Sequence, residues 1–474
     1  MAARFGVRDL GPRTEGVMES ALLIGNSFAV LVAAFELANR GKQVTLLTDG
    51  KPLGGHFAGV KIQGVNFDIG MVLFEETVPL QLRANLSGYD ASKRNDWTRF
   101  GDYASNWIRE QVELIRVPCP ECILEGRILP DYLISNRVDA FAGALPPNIL
   151  GRHDSRHAAN KNRSGAYDKV SYAEAAKWNH GTELHGRFIE PFVGKVLGVT
   201  SGEFLARYHR VAWVPLYYPE TLRLALNGES TSIPEYPFWT TRHGHVGHLI
   251  EKLLGSLAQF KNAEIVNEPL LSLAFRDSAW SAVVMDGTGY GADQLALGLT
   301  PERASSLLDI FTPPALPAAS VQLLFALVPF NLVSKRHGCT MIIDEEYATY
   351  RLTDQDAIAG LNPDWHRIVI EASPQHTARL YPELDEVTAL RGELATLLGM
   401  NAVDACSIRV LRCFTATNAL PIPTSDQVAR SNRFAADVAL AAPNATFTGS
   451  LLGFGVASFN DQLVQGLKIA KEFL

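Results

Sequence analysis

The sequence predicts an α/β protein of two domains. One is a parallel-sheet nucleotide domain assembled from separated segments; the other is an α+β domain with a mixed sheet and helices. Three observations carry this. An apolar run from Ala21 ends at Gly25, a helical pattern runs to Gly41, and a second apolar run spans Val44 to Leu47. Such a strand–helix–strand unit presents a helix N-terminus to a cofactor phosphate. The C-terminal segment supplies a matching part: a strand over Ala445 to Thr448, a glycine loop over Gly449 to Gly455, and an amphipathic helix over Asn460 to Phe473. Finally, 474 residues exceed what one simple core organises.

Composition narrows the function classes. Apolar content of 47% and charged content of 20% are those of an ordinary soluble globular chain. A net charge of −7 argues against nucleic-acid binding, which needs a basic face. No stretch is apolar for long enough to span a membrane. Residues 1–17 lack the apolar centre of a secretory signal and carry Asp9 and Glu15, so they read as a disordered leader before a domain that begins near Met18. Five cysteines, an odd number, fit a reducing cytoplasm. Cys119 and Cys122 form CPEC, but Pro118 and Pro120 make this a loop. Cys339, Cys406 and Cys413 offer no second pair for zinc. The pair reads as structural or incidental, and no metal is expected.

In chain order, KPLGGHFAG (Lys51 to Gly59) is a glycine-rich loop, and Val60 to Asp68 reads as a hairpin turning at Gly64. Thr77 to Arg210 is mostly helical in pattern, with a polar loop over Asn148 to Asp168. Ser171-Tyr172-Ala173-Glu174 has the form of a capping box and starts a helical stretch that runs to Gly198. Tyr236 to Leu254 is a turn leading into an amphipathic helix. Short strands follow (AEIV, LLSLAF, SAVVMD), then a turn GTGYG, the buried run LALGL, and a helix over Pro301 to Leu308. Buried strands are read at Val321 to Phe330, Met341 to Ile343, Ala348 to Leu352 and His366 to Glu371, and a helix at Asp385 to Gly399.

The dinucleotide fingerprint G-x-G-x-x-G keeps only Gly25; Ser27 and Val30 hold the other glycine places. Ser27 can bond a phosphate or cap the helix. At the end of the second strand, where an acid would bond the ribose, stands Thr48, followed by Asp49. Gly54 and Gly55 permit close backbone approach. Arg351 lies on a buried strand beside Tyr350, and buried arginine requires an anionic partner, either an internal carboxylate or a substrate anion. Arg242 and His243 form a polar cluster at a turn. No nucleophile elbow, P-loop or H-E-x-x-H motif is present.

Taken together, GGHFAG with FDIG, GRFIEPFVGKVLG, YPFWTTRHGHVGHLIEKL, YATYRLTD and FTGSLLGFGVASFNDQLVQGLKIAKEF resemble the two-domain flavoprotein superfamily. It includes amine oxidases, protoporphyrinogen oxidase-like enzymes and UDP-galactopyranose mutases. The resemblance implies a Rossmann-like FAD-binding domain from residues 18–76, 232–310 and 400–474, and a substrate domain from 77–231 and 311–399. It implies FAD held by Gly25, Ser27 and Phe28 at the pyrophosphate and by Thr48 or Asp49 at the ribose. Gly54, Gly55 and His56 lie on the flavin side, and Gly449, Ser450, Gly455 and Val456 at its other end. Arg351, Tyr350, Arg242 and His243 become substrate residues for a small molecule, an anion or nucleotide sugar among the options, bound over the flavin between the domains. The expected activity is that of a cytoplasmic FAD-dependent oxidoreductase. The alternatives are a non-redox sugar-nucleotide mutase, favoured by the tail, and a non-catalytic protein on a degenerate flavin fold, favoured by the missing glycines and acids.

Overall fold

The computed structural model describes residues 20–75, 106–118, 120–129, 169–212, 214, 238–311, 317–333, 338–456 and 458–474. The leader, its junction near Met18, the loop over Asn148 to Asp168 and Cys119 lie outside them. The described chain is a mixed α/β structure of two compact units. No helix among the described residues is long and apolar enough to cross a membrane.

The first unit takes residues up to Gly59, then Gly247–Ala315 and Asp426–Leu474. Its core is a five-stranded sheet from β1 (Ser20–Gly25), β2 (Gln43–Leu47), β3 (Ala263–Val266), β4 (Gln294–Gly298) and β5 (Ala445–Phe447). The spatial order is β3-β2-β1-β4-β5, with every pairing parallel. Parallel neighbours need crossovers, and α1 (Phe28–Asn39) supplies the first. Every α1 residue from Phe28 to Ala38 is buried. Its sequence FAVLVAAFELA is apolar nearly all round, as a helix covered on all sides must be. The cover includes α2 (Gly247–Leu257) and α4 (Phe459–Phe473), whose Gly466 lets α4 approach the α1 backbone; a Cβ there would stand 2.5 Å from the Ala29 carbonyl oxygen. The short helix α3 (Pro301–Leu308) follows β4 and is capped by Thr300. An antiparallel meander packs Trp280, Ala282 and Val284 on the sheet residues Leu22, Ile24 and Leu297. The GTGYG stretch, read as a turn, enters this meander as strand Gly289–Ala292, because Gly289 pairs Val283.

The second unit takes Val60–Val246 and Leu316–Ser425. Its seven-stranded mixed sheet runs Arg409–Pro421, Ala318–Pro329, Trp365–Ala372, Thr349–Asp354, Cys339–Ile342, Glu121–Leu124, Arg127–Leu129. The last two strands correct a helical reading; Cys122 and Ile123 pair in parallel with Met341 and Ile342. The helical stretch after Ser171 is broken: Ser171 caps Tyr172–Asn179, a π-turn spans His185–Ile189, and Glu190–Leu197 continues. Residues 60–75, 238–246 and 400–425, placed by sequence with the first domain, pack in this unit. The physical reason is pairing: Arg409–Pro421, unread in the sequence, lies along Ala318–Pro329 over most of its length. The helix Ser425–Ala441 that follows, equally unread, returns the chain to the first unit, where Phe434 and Val438 join the sheet core.

One buried clamp fixes the strand that carries Tyr350 and Arg351. Lys195 has no exposed surface. It donates to the carbonyls of Asp344 (2.7 Å), Tyr347 (3.0 Å) and Thr349 (3.2 Å). From the other side Glu393 accepts from Ala348 N (2.6 Å) and Thr349 N (2.8 Å). Burial pulls the Lys195 pKa down to about 7, against the pull of Glu393. Lys195→Met orphans one buried and two partly buried carbonyls and should cost about 2–4 kcal/mol in urea unfolding. The unfolded lysine keeps its proton to higher pH than the folded one, so stability relative to Lys195→Met should rise between pH 7 and 10. A flat difference over that window would contradict the lowered pKa and mean that the buried group keeps its proton.

Candidate functional site

In the first unit the chain ends its first strand at Gly25, with φ +128°. A Cβ there would stand 2.3 Å from the carbonyl oxygen of Gly298 at the end of β4. Gly25 is therefore required by the neighbouring strand as well as by the turn. Ser27 caps α1, its Oγ accepting from Val30 N at 3.3 Å. Ala29 N reaches Gln462 Oε1 of α4 at a long 3.4 Å.

Val30, in the place of the fingerprint's third glycine, has its own glycine partner. A Cβ on Gly298 would meet Val30 Cγ2 at 2.5 Å, Thr448 Oγ1 at 2.7 Å and Ser27 Oγ at 2.8 Å. The small residue that permits close helix–strand packing has moved from the helix to the strand.

The same approach brings the two ends of the chain together. Ser27 Oγ lies 3.4 Å from Thr448 Oγ1 across 421 residues of sequence. Beyond Thr448, Gly449 has φ +59° and nothing within 4 Å of where a Cβ would sit. Its N–H donates to Gln465 Oε1 at 2.8 Å, and Gln465 Nε2 donates to Val456 O at 2.7 Å. Gly453 lies against Asn432, whose Oδ1 accepts from Phe454 N. On the other side of the first turn, Gly54 N donates to Asn26 O at 2.8 Å. Gly55, φ +57°, has only the Asn26 carbonyl at 3.9 Å near its missing Cβ. Ser450, Gly455 and His56 are exposed. Phe28 is not available to a ligand: it is fully buried, stacked on Phe459 at 4.5 Å. Thus Gly25, Ser27, Gly54, Gly55 and Gly449 are drawn to one end of α1.

Thr48 and Asp49 sit at the end of β2 in a different setting. Thr48 is 2% exposed; its N–H donates to Val266 O at 3.0 Å and its hydroxyl to Asn267 Oδ1 at 2.6 Å. Asp49 accepts from Leu270 N (2.7 Å) and from Arg303 Nε (2.8 Å) and Nη2 (2.9 Å) of α3. Burial works to raise its pKa, but these donors outweigh that and hold it below the usual carboxylate range. Arg303 also donates to Leu270 O. The Gly50 turn lies on Pro269.

In the second unit, Arg351 has its anion inside the protein. It forms a two-point ion pair with Glu371, whose carboxylate also accepts from Met71 N at 3.2 Å and lies where a Gly70 side chain would go. The Tyr350 hydroxyl is buried and makes no hydrogen bond among the described residues; burial raises its pKa well above normal. Arg242 pairs with Glu113 at the surface. The carbonyl of His243 accepts from Arg367 at 2.8 Å. Asp68 holds Val246 N with both carboxylate oxygens at 2.9 Å, so FDIG shapes a turn. Among the described residues no group of His, Cys, Asp or Glu is placed to hold a metal.

The sequence reading missed Gly298, Gln462, Gln465, Asn267 and Arg303. Gly298 had a signal, a glycine closing the buried run LALGL; the others are ordinary polar residues until the fold places them.

A flavin cofactor, which the sequence resemblance implies, can be tested against these residues. Around the N-terminus of α1 they fit: the half-buried Ser27 hydroxyl with that of the buried Thr448 behind it, and glycines with open space at Gly55 and Gly449. At the end of β2 they do not, because both candidate ribose partners are already engaged.

No family model and no curated protein matches the sequence. Solved structures do match. A candidate protoporphyrinogen oxidase from Exiguobacterium sp. 255-15 aligns at 15% identity over 96% of this chain and 98% of its own, with TM-score 0.58. A reduced UDP-galactopyranose mutase aligns at 11% identity over 96% and 95%, with TM-score 0.62. Cyclohexylamine oxidase from Brevibacterium oxydans IH-35A aligns at 14% over 96% and 99%, with TM-score 0.54. The likeness is one of fold, and it is the fold that the sequence resemblance implied.

The packing at Gly298 is directly testable. Gly298→Ala should destabilise the protein by about 1–3 kcal/mol in urea unfolding. Adding Val30→Ala should recover part of that loss, since it removes the nearest clashing atom. A Gly298→Ala protein as stable as wild type would contradict the close approach.

Proposed function

We propose that this chain is a flavin-dependent oxidoreductase that binds FAD on a Rossmann-like first unit and acts on a small organic substrate. The observation that carries the proposal is the meeting of Ser27 and Thr448 hydroxyls beside Gly449 at the start of α1. Two sequence segments expected to share one cofactor converge there from opposite ends of the chain. The helix end favours an anion, the half-buried Ser27 offers its hydroxyl to a phosphate with the buried Thr448 hydroxyl behind it, and Gly55 and Gly449 add no side chain between the backbone and a flat ring. Bound flavin supplies a hydride acceptor, so the protein's task is to bind and orient.

The second unit supports a redox reading over a nucleotide-sugar mutase. A sugar diphosphate would call for unpaired cations, and Arg351 and Arg242 are both committed to carboxylates. Among the described residues, these pairs take the two arginines expected to meet an anionic substrate out of that role. The cysteines described are free thiols, which suits a reducing compartment such as the cytoplasm.

Purified protein should be yellow, with flavin absorption released on denaturation. Thr448→Val should weaken flavin binding by about 10-fold, the loss of one hydrogen bond to a charged group, with the circular dichroism spectrum unchanged. A colourless protein whose melting temperature is unmoved by added FAD or FMN would contradict the proposal.

A further inference from the structure

The corner between β2 and β3 is closed by the protein's own groups. Where a dinucleotide site offers an acid to the ribose at the end of the second strand, this chain has Thr48, 2% exposed and bonded to Asn267 at 2.6 Å. The next residue carries a carboxylate, but its side chain is 6% exposed and gripped through both oxygens by Arg303. The neighbouring main chain is spent as well: Leu270 N donates to Asp49 and Leu270 O accepts from Arg303. Val266 O is taken by Thr48 N, and the Gly50 turn rests on Pro269, 3.3 Å from where its Cβ would be. A ribose or adenine placed here would have to break an ion pair or a buried hydrogen bond for each one it formed, with no net gain. At the start of α1, by contrast, Gly449 leaves open space where a side chain would be and Gly55 meets only the Asn26 carbonyl, at 3.9 Å.

We infer that the first unit holds its cofactor by the flavin and its first phosphate alone, so that a flavin mononucleotide satisfies the site as well as the dinucleotide does. The Asp49–Arg303 pair with Thr48–Asn267 excludes the adenosine half. The inference rests on the flavin reading above and sharpens the ligand it names.

The test is equilibrium binding of FMN, FAD and ADP to flavin-stripped protein, followed by flavin fluorescence and thermal shift. FMN and FAD should bind with dissociation constants within about tenfold of each other, and millimolar ADP should displace neither. Arg303→Leu, which frees the Asp49 carboxylate, should strengthen FAD binding and leave FMN unchanged. FAD bound more than about tenfold tighter than FMN, with ADP competing, would overturn the inference and leave the flavin reading standing. Binding of neither flavin would overturn both.

Discussion

The first unit depends on one close approach, that of the Gly298 backbone to Gly25 and the first turn of α1. Three side chains, from Ser27, Val30 and Thr448, stand within 3 Å of where a Cβ on Gly298 would be. Only glycine lets β4 come this near to β1 and α1. That nearness aligns β5, which pairs with β4, so that Thr448 reaches Ser27. Protein interiors are packed to this density throughout, and here the packing also decides what a ligand would meet. Moving the glycine from helix to strand keeps the helix–sheet distance short while a valine occupies the helix.

Electrostatics in both units runs toward internal neutralisation. Asp49 is matched by Arg303, Arg351 by Glu371, and Arg367 by Asp356. Each partner is largely buried, where an unpaired charge would be costly and a paired one roughly breaks even. Few described charges in these networks are therefore left to attract a ligand. The groups that remain at the start of α1 are hydroxyls, backbone and a helix dipole, which bind a phosphate by hydrogen bonding more than by charge.

Much of the fold was legible because it is written locally. Gly25, the nearly all-apolar helix to Asn39 and the run Val44 to Leu47 specify one strand–helix–strand unit through short-range pattern alone. The Ser171 cap and the Pro301–Leu308 helix were legible for the same reason. Arg409–Pro421 was not: its residues are half-exposed, without clean alternation, and it is a strand because Ala318–Pro329 lies beside it. The site divides along the same line. Ser27 and the glycine loops announce themselves as turn chemistry, whereas Asp49 looks like a ribose acid until Arg303, over 250 residues away, arrives to neutralise it. Sequence marks a group's chemistry; whether that group is still available depends on partners from distant segments.

The most direct test of this account is a crystal structure of the protein with bound flavin. A phosphate should lie within hydrogen-bonding distance of Ser27 and Thr448 at the N-terminus of α1, with the Asp49–Arg303 pair intact and any adenosine unattached to it. An adenosine ordered against Thr48 and Leu270, or a flavin seated away from α1, would contradict it.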